Sequence, residues 1–183
     1  MYEAFVAGCP SQPPHGSRRC HGIAALLLAP RARAVAPLRE LSFVHTHTGE
    51  TLTIAYAHAD QYLPQSLARI DWLLRDFRSG EASAIDPRLL DQLHALATVT
   101  GSRRPFEVIS GYRSQTTNDA LRRRGGGVAA HSLHMEGRAI DIRLADVSLA
   151  DLRDAAVSLA EGGVGFYPQS QFVHVDTGSV RRW

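Results

Sequence analysis

The sequence contains no lysine and only two cysteines. All 20 of its basic residues are arginine, which we attribute to the composition of the source genome. Cys9 and Cys20 both lie near the start of the chain, so the remainder has no thiolate, and a metal site there must use histidine and carboxylate. The sequence also lacks any run close to the roughly 20 apolar residues of a membrane-spanning helix, and we expect no membrane span.

Residues 1–36 have the character of an export signal. Arg18 and Arg19 precede a short apolar run, Ile23–Ala29, and small residues follow it. The paired arginines are compatible with twin-arginine export, and a disordered cytosolic tail is the alternative. We therefore divide the chain into a leader, residues 1–36, and one domain, residues 37–183.

The domain is close to electrical neutrality once the leader is removed. The whole chain has a formal net charge of +2, but four arginines and one acidic residue belong to the leader. No basic surface field remains that would favour nucleic acid, and we expect no such partner.

The hydrophobic patterns predict an α+β domain. Strands are predicted at 41–48, 50–56, 106–109, 138–144, 164–167 and 172–175, and helices at 64–78, 87–99, 114–124 and 149–160. Asp86 and Pro87 are an N-cap and first-turn pair for the second helix. We expect helices that precede or interrupt a small, mainly antiparallel sheet and pack on it.

The most informative stretch runs from Ser132 to Asp141, and a further histidine, His174, follows it later in the chain. The six residues between His134 and Asp141 suit a loop that leads into a strand, and Gly137 permits the bend. Asp141 lies in an apolar run, where an unpaired carboxylate is costly to bury. Two imidazoles and a carboxylate are the ligand set of a catalytic zinc with an open fourth position. We therefore predict one Zn²⁺ per chain, bound by His134, Asp141 and His174.

This arrangement, S-x-H-x-x-G-x-A-x-D followed by a late H-x-D, resembles the zinc D-alanyl-D-alanine peptidases, whose fold the Hedgehog signalling domain shares. It is most similar to the murein endopeptidase K (YcbK-like) family. The resemblance covers roughly residues 41–183, and its further motifs are Thr46–Glu50, Ile109–Ser114, Gly126–Val128, Gly163–Pro168 and Phe172–Gly178. It implies a Hedgehog-like fold and a periplasmic zinc hydrolase that cuts the stem peptides of peptidoglycan.

Arg113 is the candidate for substrate binding. It directly follows a predicted strand, so its guanidinium can point into a cleft and bind a stem-peptide carboxylate with two hydrogen bonds. The resembling peptidases use an arginine at this motif in that way, and a structural salt bridge is the alternative. Tyr112 and Ser132 are further candidates for contact with the substrate.

The general base stays open. The wider superfamily places an acidic residue three positions before the last metal ligand, or a histidine two positions before it, and here Gln171 and Phe172 occupy those positions. Asp176 is either the base or an acceptor that orients His174. Four other side chains are candidates, two as bases and two as stabilisers of the tetrahedral oxyanion: His131, His47, Tyr112 and Tyr167.

Three functions are compatible with these residues. The leading one is a zinc-dependent murein endopeptidase that acts on a diaminopimelate–diaminopimelate or a D-alanine–diaminopimelate cross-link. The second is a carboxypeptidase that removes a terminal D-alanine. The third is a non-catalytic, zinc-containing murein-binding domain, favoured by the missing acidic residue at position 171. We expect a monomer in each case.

Overall fold

The computed structural model describes residues 37–125 and 129–183. Its strands are β1 (Leu38–His45), β2 (Thr51–His58), β3 (Gln61–Tyr62), β4 (Phe106–Ser110), β5 (Ala139–Arg143), β6 (Gly163–Tyr167), β7 (Phe172–Asp176) and β8 (Arg181–Arg182). Its helices are α1 (Pro64–Leu73), α2 (Pro87–Thr100), α3 (Gln115–Arg123), α4 (Leu149–Leu159) and a 3₁₀ turn (Leu133–Glu136). The predicted α+β class is confirmed.

The strands form one eight-stranded sheet in the order β3-β2-β1-β4-β5-β7-β6-β8. Five neighbouring pairs are antiparallel, but β1 pairs with β4 and β6 with β8 in parallel. The sheet is therefore mixed, which corrects part of the expectation of a mainly antiparallel sheet. The β1–β4 pair is parallel because α1 and α2 carry the chain back across the sheet before β4 begins.

Three helices cover the sheet. α1 contacts β2, α2 contacts β1, and α4 contacts β6 and β7. Four leucines of α2 are fully buried in this layer: Leu89, Leu90, Leu93 and Leu96. α2 begins as predicted, because the Asp86 side chain accepts a hydrogen bond from the backbone N–H of Arg88 and Pro87 opens the first turn. β5 lies in the middle of the sheet, and four of its five residues are buried.

α1 is shorter than predicted. The apolar stripe suggested a helix to about Arg78, but α1 ends at Leu73. The backbone carbonyl of Leu74 instead accepts a hydrogen bond of 2.7 Å from the N–H of Tyr112. The Asp76 side chain accepts from the N–H of Arg78 and closes a loop. A tertiary contact therefore overrides the helical pattern, and it places the chain beside the end of β4.

The predicted leader lies outside the described residues, so the export signal and the boundary at residue 37 stay predictions. Within the described part of the chain, no helix combines the length and apolar character that a bilayer span requires.

Candidate metal centre and substrate cleft

Two paired strands hold two of the three predicted metal ligands. β5 and β7 run antiparallel, and their register sets Asp141 directly opposite His174. Side chains opposite each other on neighbouring strands have Cβ atoms about 5 Å apart, so the ladder itself brings carboxylate and imidazole together. Both side chains are buried.

The third ligand comes from the 3₁₀ turn just before β5. His134 is buried there, and Gly137, with a φ of +65°, turns the chain from His134 into the strand. A Cβ on Gly137 would overlap the carbonyl oxygen of Ala84, so both the left-handed backbone and the close approach require glycine. The structure thus contains the loop-to-strand bend that the spacing predicts.

The three predicted ligand atoms converge on one point. Nδ1 of His174 lies 2.9 Å from Oδ1 of Asp141, and Nε2 of His134 lies 3.3 Å from the same oxygen. The two ring nitrogens are 3.2 Å apart. Among residues 37–125 and 129–183, these three form the one group of histidine, cysteine and acidic side chains with metal-binding geometry.

The outer nitrogen of each ring faces a hydrogen-bond acceptor of the fold. Nδ1 of His134 lies 2.7 Å from the carbonyl oxygen of Gly111, and Nε2 of His174 lies 3.0 Å from Oδ2 of Asp176. Both oxygens accept hydrogen bonds, so a proton on each outer nitrogen is satisfied there, and each ring in its neutral form can then direct a lone pair inward. Two nitrogen lone pairs and a carboxylate oxygen of Asp141 then face one another. That donor set fits a zinc ion.

These close contacts between imidazoles and carboxylates shift the pKa values of His174 and Asp141. Burial works to lower the pKa of His174, but its hydrogen bonds to Asp141 and Asp176 outweigh burial and raise the pKa to about 9. Burial works to raise the pKa of Asp141, but the charges and hydrogen bonds of His134 and His174 hold it well below its usual range. The site is therefore an electron-rich pocket that attracts a proton or a metal cation.

Asp176 is fully buried and its oxygens are heavily used. Oδ1 accepts from the backbone N–H groups of Gly163 (3.1 Å) and Gly178 (2.8 Å). Oδ2 accepts from Nε2 of His174 and from Nη2 of Arg181 at 2.8 Å. Burial works to raise the pKa of Asp176, but these hydrogen bonds hold it far below its usual range. Of the two predicted roles, this geometry favours the acceptor that orients His174 over a base that needs access to water.

The ligand cluster forms the floor of a cleft of about 370 Å³. Arg113 lines the cleft and is only 8% exposed. Its Nη2 lies 3.8 Å from Oδ2 of Asp141, and Nη1 donates to Oδ1 of Asn118 at 3.4 Å. Its Nε has no hydrogen-bond partner within the described parts of the chain. That nitrogen is buried, but Nη2 makes only the 3.8 Å contact with Asp141 among the described residues, so the guanidinium has donor capacity left for a ligand in the cleft.

Several other predicted residues lie at the cleft, and the rest lie elsewhere. Ser132, His131 and Tyr167 line it. Tyr112 packs partly buried against the hydrophobic core and is absent from the cleft lining, so the geometry gives no support to its predicted substrate contact. His47 stacks on Phe77 with ring centroids 4.1 Å apart, also away from the lining.

The two positions that carry the base in the wider superfamily are occupied differently here. Gln171 is exposed in the turn between β6 and β7, with a φ of +58°. Phe172 lines the cleft and stacks on Tyr167, with ring centroids 4.6 Å apart. Neither can accept a proton from water at this site.

Sequence reasoning missed two residues beside the metal centre. Arg181 makes a two-point ion pair with Asp176, and Trp183 packs its ring 5.4 Å from that of His174. No local pattern marks either residue. They reach the site only because β8 returns in parallel alongside β6.

Comparison with known proteins agrees with this geometry. The family model described as "Peptidoglycan L,D-endopeptidase MepK" matches residues 33–183. The Escherichia coli K12 protein named peptidoglycan L,D-endopeptidase MepK is 42% identical over 159 residues, which cover 87% of this chain and 84% of the relative. The Haemophilus influenzae protein named probable peptidoglycan L,D-endopeptidase MepK is 44% identical over 146 residues, 79% of this chain and 78% of that protein.

A solved structure, the Serratia marcescens L-Ala D-Glu endopeptidase ChiX, aligns at 23% identity with a TM-score of 0.34 over 42% of this chain and 62% of that chain. That similarity is too distant to bear on the fold or the activity. The family match and the two sequence relatives each extend over most of the chain, and they confirm the resemblance seen in its motifs. The chain belongs to the peptidoglycan L,D-endopeptidase MepK family.

Proposed function

We propose that this protein is a zinc-dependent peptidoglycan endopeptidase that hydrolyses an L,D peptide bond in the cross-links between stem peptides. The observation that carries the proposal is the convergence of three lone-pair donors on the floor of a cleft whose wall holds an incompletely paired arginine. The names of the two relatives support the peptidoglycan substrate and the L,D bond.

His134, Asp141 and His174 would hold the metal. When bound, zinc would supply Lewis acidity towards the scissile carbonyl and a fourth coordination position open to the reaction. The chain's own residues fix the geometry. Gly111 and Asp176 hold the two rings in the tautomers that direct their lone pairs inward. Asp176 is therefore assigned to positioning His174.

Arg113 would bind a carboxylate of the stem peptide. Its guanidinium is nearly buried, and its Coulombic partner Asp141 stands at 3.8 Å, beyond hydrogen-bond distance. Burial lowers the pKa of Arg113 from its ordinary value, but the group stays cationic at neutral pH. A ligand carboxylate can accept two parallel hydrogen bonds from such a fork, and this fixes the orientation of the peptide.

The stereochemistry of the bond distinguishes between the two candidate cross-links. An L,D bond joins the carboxyl group of an L centre to the amine of a D centre. The diaminopimelate–diaminopimelate cross-link has this configuration, whereas the D-alanine–diaminopimelate link is a D,D bond. We therefore favour the first of these two cross-links. The substrate also implies that the protein acts in the periplasm. The twin-arginine route is not part of the proposal, because no relative and no described residue supports it.

The test uses the zinc-loaded protein and purified peptidoglycan sacculi that contain both kinds of cross-link. Muropeptides are separated by chromatography and identified by mass spectrometry, beside the Asp141→Ala variant as control. We expect dimers joined through two diaminopimelates to disappear and the matching monomers to appear, with no change in the control.

Other outcomes would replace the proposal. Loss of D-alanine–diaminopimelate dimers would move the cleavage to a D,D bond. Loss of one terminal alanine from monomers would identify a carboxypeptidase. Unchanged muropeptides, with one zinc per chain retained, would leave a murein-binding domain without turnover.

A further inference from the structure

One wall of the cleft is aromatic and is joined to the metal centre. Trp183 packs against His174 with ring centroids 5.4 Å apart. Nε1 of Trp183 donates a hydrogen bond of 2.7 Å to the hydroxyl oxygen of Tyr167. Tyr167 in turn stacks on Phe172. A single indole therefore touches both a predicted metal ligand and a tyrosine hydroxyl in the same cleft.

The backbone holds this wall in place. The N–H of Trp183 donates to the carbonyl of Val164 at 3.2 Å, and the carbonyl of Trp183 accepts from the N–H of Phe166 at 3.1 Å. Gly165 lies beneath both rings, since a Cβ there would stand 2.8 Å from Cε2 of Trp183 and 2.8 Å from Cε2 of Tyr167. Real Cβ atoms do not approach other atoms so closely. The close seating of the two rings therefore depends on glycine at this position.

The hydrogen bond from Trp183 decides what the Tyr167 hydroxyl can do. An indole N–H only donates, so the phenol oxygen is the acceptor in this pair. The hydroxyl proton of Tyr167 is then free to be donated to another group. A hydroxyl that already accepts a hydrogen bond is also a better donor, because such bonds polarise one another in chains.

We propose that Tyr167 is a catalytic residue that donates a hydrogen bond to the oxyanion formed during peptide hydrolysis, and that Trp183 is the positioning residue that aims its hydroxyl. This inference rests on the proposed function. It assigns the oxyanion donor to the cleft tyrosine and sets aside Tyr112, which faces the core.

Tyr167 would be chemically unchanged by the hydrolysis of the peptide bond. The oxygen of water bonds to the carbonyl carbon, and the electron pair of the C=O π bond moves onto the carbonyl oxygen. Tyr167 donates a hydrogen bond to that oxygen and keeps its proton. When the C–N bond breaks, the carbonyl re-forms and the leaving nitrogen takes up a proton that originates from the water. The donor acts because charge develops on the oxygen only in the transition state.

The experiment compares Tyr167→Phe, Trp183→Phe, the double variant and the wild type as full-length, zinc-loaded proteins on a purified diaminopimelate-linked muropeptide dimer. We expect Tyr167→Phe to lower kcat by about 10- to 100-fold with little change in KM, which is less than the roughly 10²- to 10³-fold typical for one oxyanion donor, because Tyr167 is partly exposed to water. Trp183→Phe should lower kcat by roughly 3- to 10-fold. The double variant should equal Tyr167→Phe, because Trp183 acts through that hydroxyl.

A matched control and a second measurement separate this role from a structural one. Tyr62→Phe removes a phenol hydroxyl that is also hydrogen-bonded, to Asp91 at 2.6 Å, but lies outside the cleft lining, and it should leave kcat unchanged. Zinc content should stay at one per chain in every variant. A phosphinic peptide that mimics the tetrahedral intermediate should bind about 10-fold more weakly to Tyr167→Phe than to the wild type in calorimetry. The KM for the dimer should change little between the two proteins.

Two results would overturn the inference while leaving the proposed function standing. One is a Tyr167→Phe enzyme with wild-type kcat and wild-type affinity for the phosphinic peptide. The other is a double variant whose losses simply multiply, which would show that Trp183 acts independently of the hydroxyl. A wild-type protein that leaves the dimer intact would refute the proposed function, and this inference with it.

Discussion

The floor and the rim of the cleft are built in opposite ways. The floor consists of His134, Asp141 and His174, all buried, each tied to a second hydrogen-bond or ion-pair partner from the fold. The rim includes Tyr167 and Trp183, which are 36% and 51% exposed. Two of the floor residues sit opposite each other on central strands, whereas the rim residues sit at the ends of outer strands.

This difference matches the functions proposed for the two regions. Metal ligands must converge within a few tenths of an ångström of fixed positions, and a ladder of paired strands with buried partners provides that rigidity. Groups that bind a peptide need open hydrogen-bonding capacity, so they cannot be fully satisfied by the fold. Arg113 stands between the two regions, since it is buried like the floor but its Nη2 makes only the 3.8 Å contact with Asp141 among the described residues.

The largest expected effect comes from breaking the floor. Asp141→Ala removes the carboxylate shared by both histidines, so we expect zinc content to fall from one per chain towards zero and activity to fall by at least roughly 10³-fold. Metal content is measured by mass spectrometry, and cleavage by muropeptide chromatography. Asp154→Ala, at an exposed position on α4, serves as the matched control. A variant that lost its carboxylate but kept zinc and turnover would remove Asp141 from the ligand set.

The next largest effect is expected at Asp176, which lies behind the floor and contacts His174. Asp176→Asn keeps the shape of the side chain but weakens its hydrogen bond from Nε2 of His174. We expect zinc affinity to fall by about 10- to 100-fold, with much of the activity restored by excess zinc. Affinity is measured by competition with a chelating dye. Full zinc occupancy together with a collapsed kcat would instead assign Asp176 the role of general base.

A smaller effect is expected at Arg113, the proposed ligand of the substrate carboxylate. Arg113→Lys keeps the positive charge but loses the planar fork, so KM for the cross-linked dimer should rise by roughly 10-fold while zinc content stays unchanged. Arg153→Lys, at a half-buried position of α4 outside the cleft lining, should leave KM unaltered. If Arg113→Lys changed thermal stability and left KM at the wild-type value, Arg113 would be a structural partner of Asp141 and no substrate ligand.

The smallest effect concerns the scaffold that supports Arg113. Asp76 accepts hydrogen bonds from the backbone N–H and the hydroxyl of Ser114, which directly follows Arg113 in the chain. Burial works to raise the pKa of Asp76, but hydrogen bonds from Thr117 and Ser114 outweigh it and lower the pKa from 3.8 to about 2. Asp76→Asn should therefore cost about 2 kcal/mol of unfolding free energy at pH 7.

The sign of the pH dependence is fixed by that lowered pKa. The unfolded chain takes up the proton first on acidification, so the contribution of Asp76 is complete above about pH 4 and is lost as the pH falls through 2. Urea unfolding of wild type and Asp76→Asn should differ by about half as much at pH 3 as at pH 7. An equal difference at the two pH values would show that the carboxylate charge is not what stabilises this loop.

The sequence alone predicted the candidate ligand set and determined much of the local structure around it. The spacing from His134 to Asp141 demanded a bend at Gly137, and the apolar residues around Asp141 implied a buried carboxylate that needs a cation. The bend and the burial are both present in the structure, because bends and strand burial depend on residues close to one another in the chain. The helix start at Asp86 was readable for the same reason.

Contacts between distant segments were decided by the tertiary structure. α1 stops early because Tyr112 takes the Leu74 carbonyl, and no property of the helix sequence foretells that. The role of Asp176 depends on Arg181, which reaches it through the parallel β6–β8 pair. Tyr167 gains a directed hydroxyl only because Trp183 returns to the same wall. A single sequence records which groups are present, whereas strand register and chain return decide which of them meet.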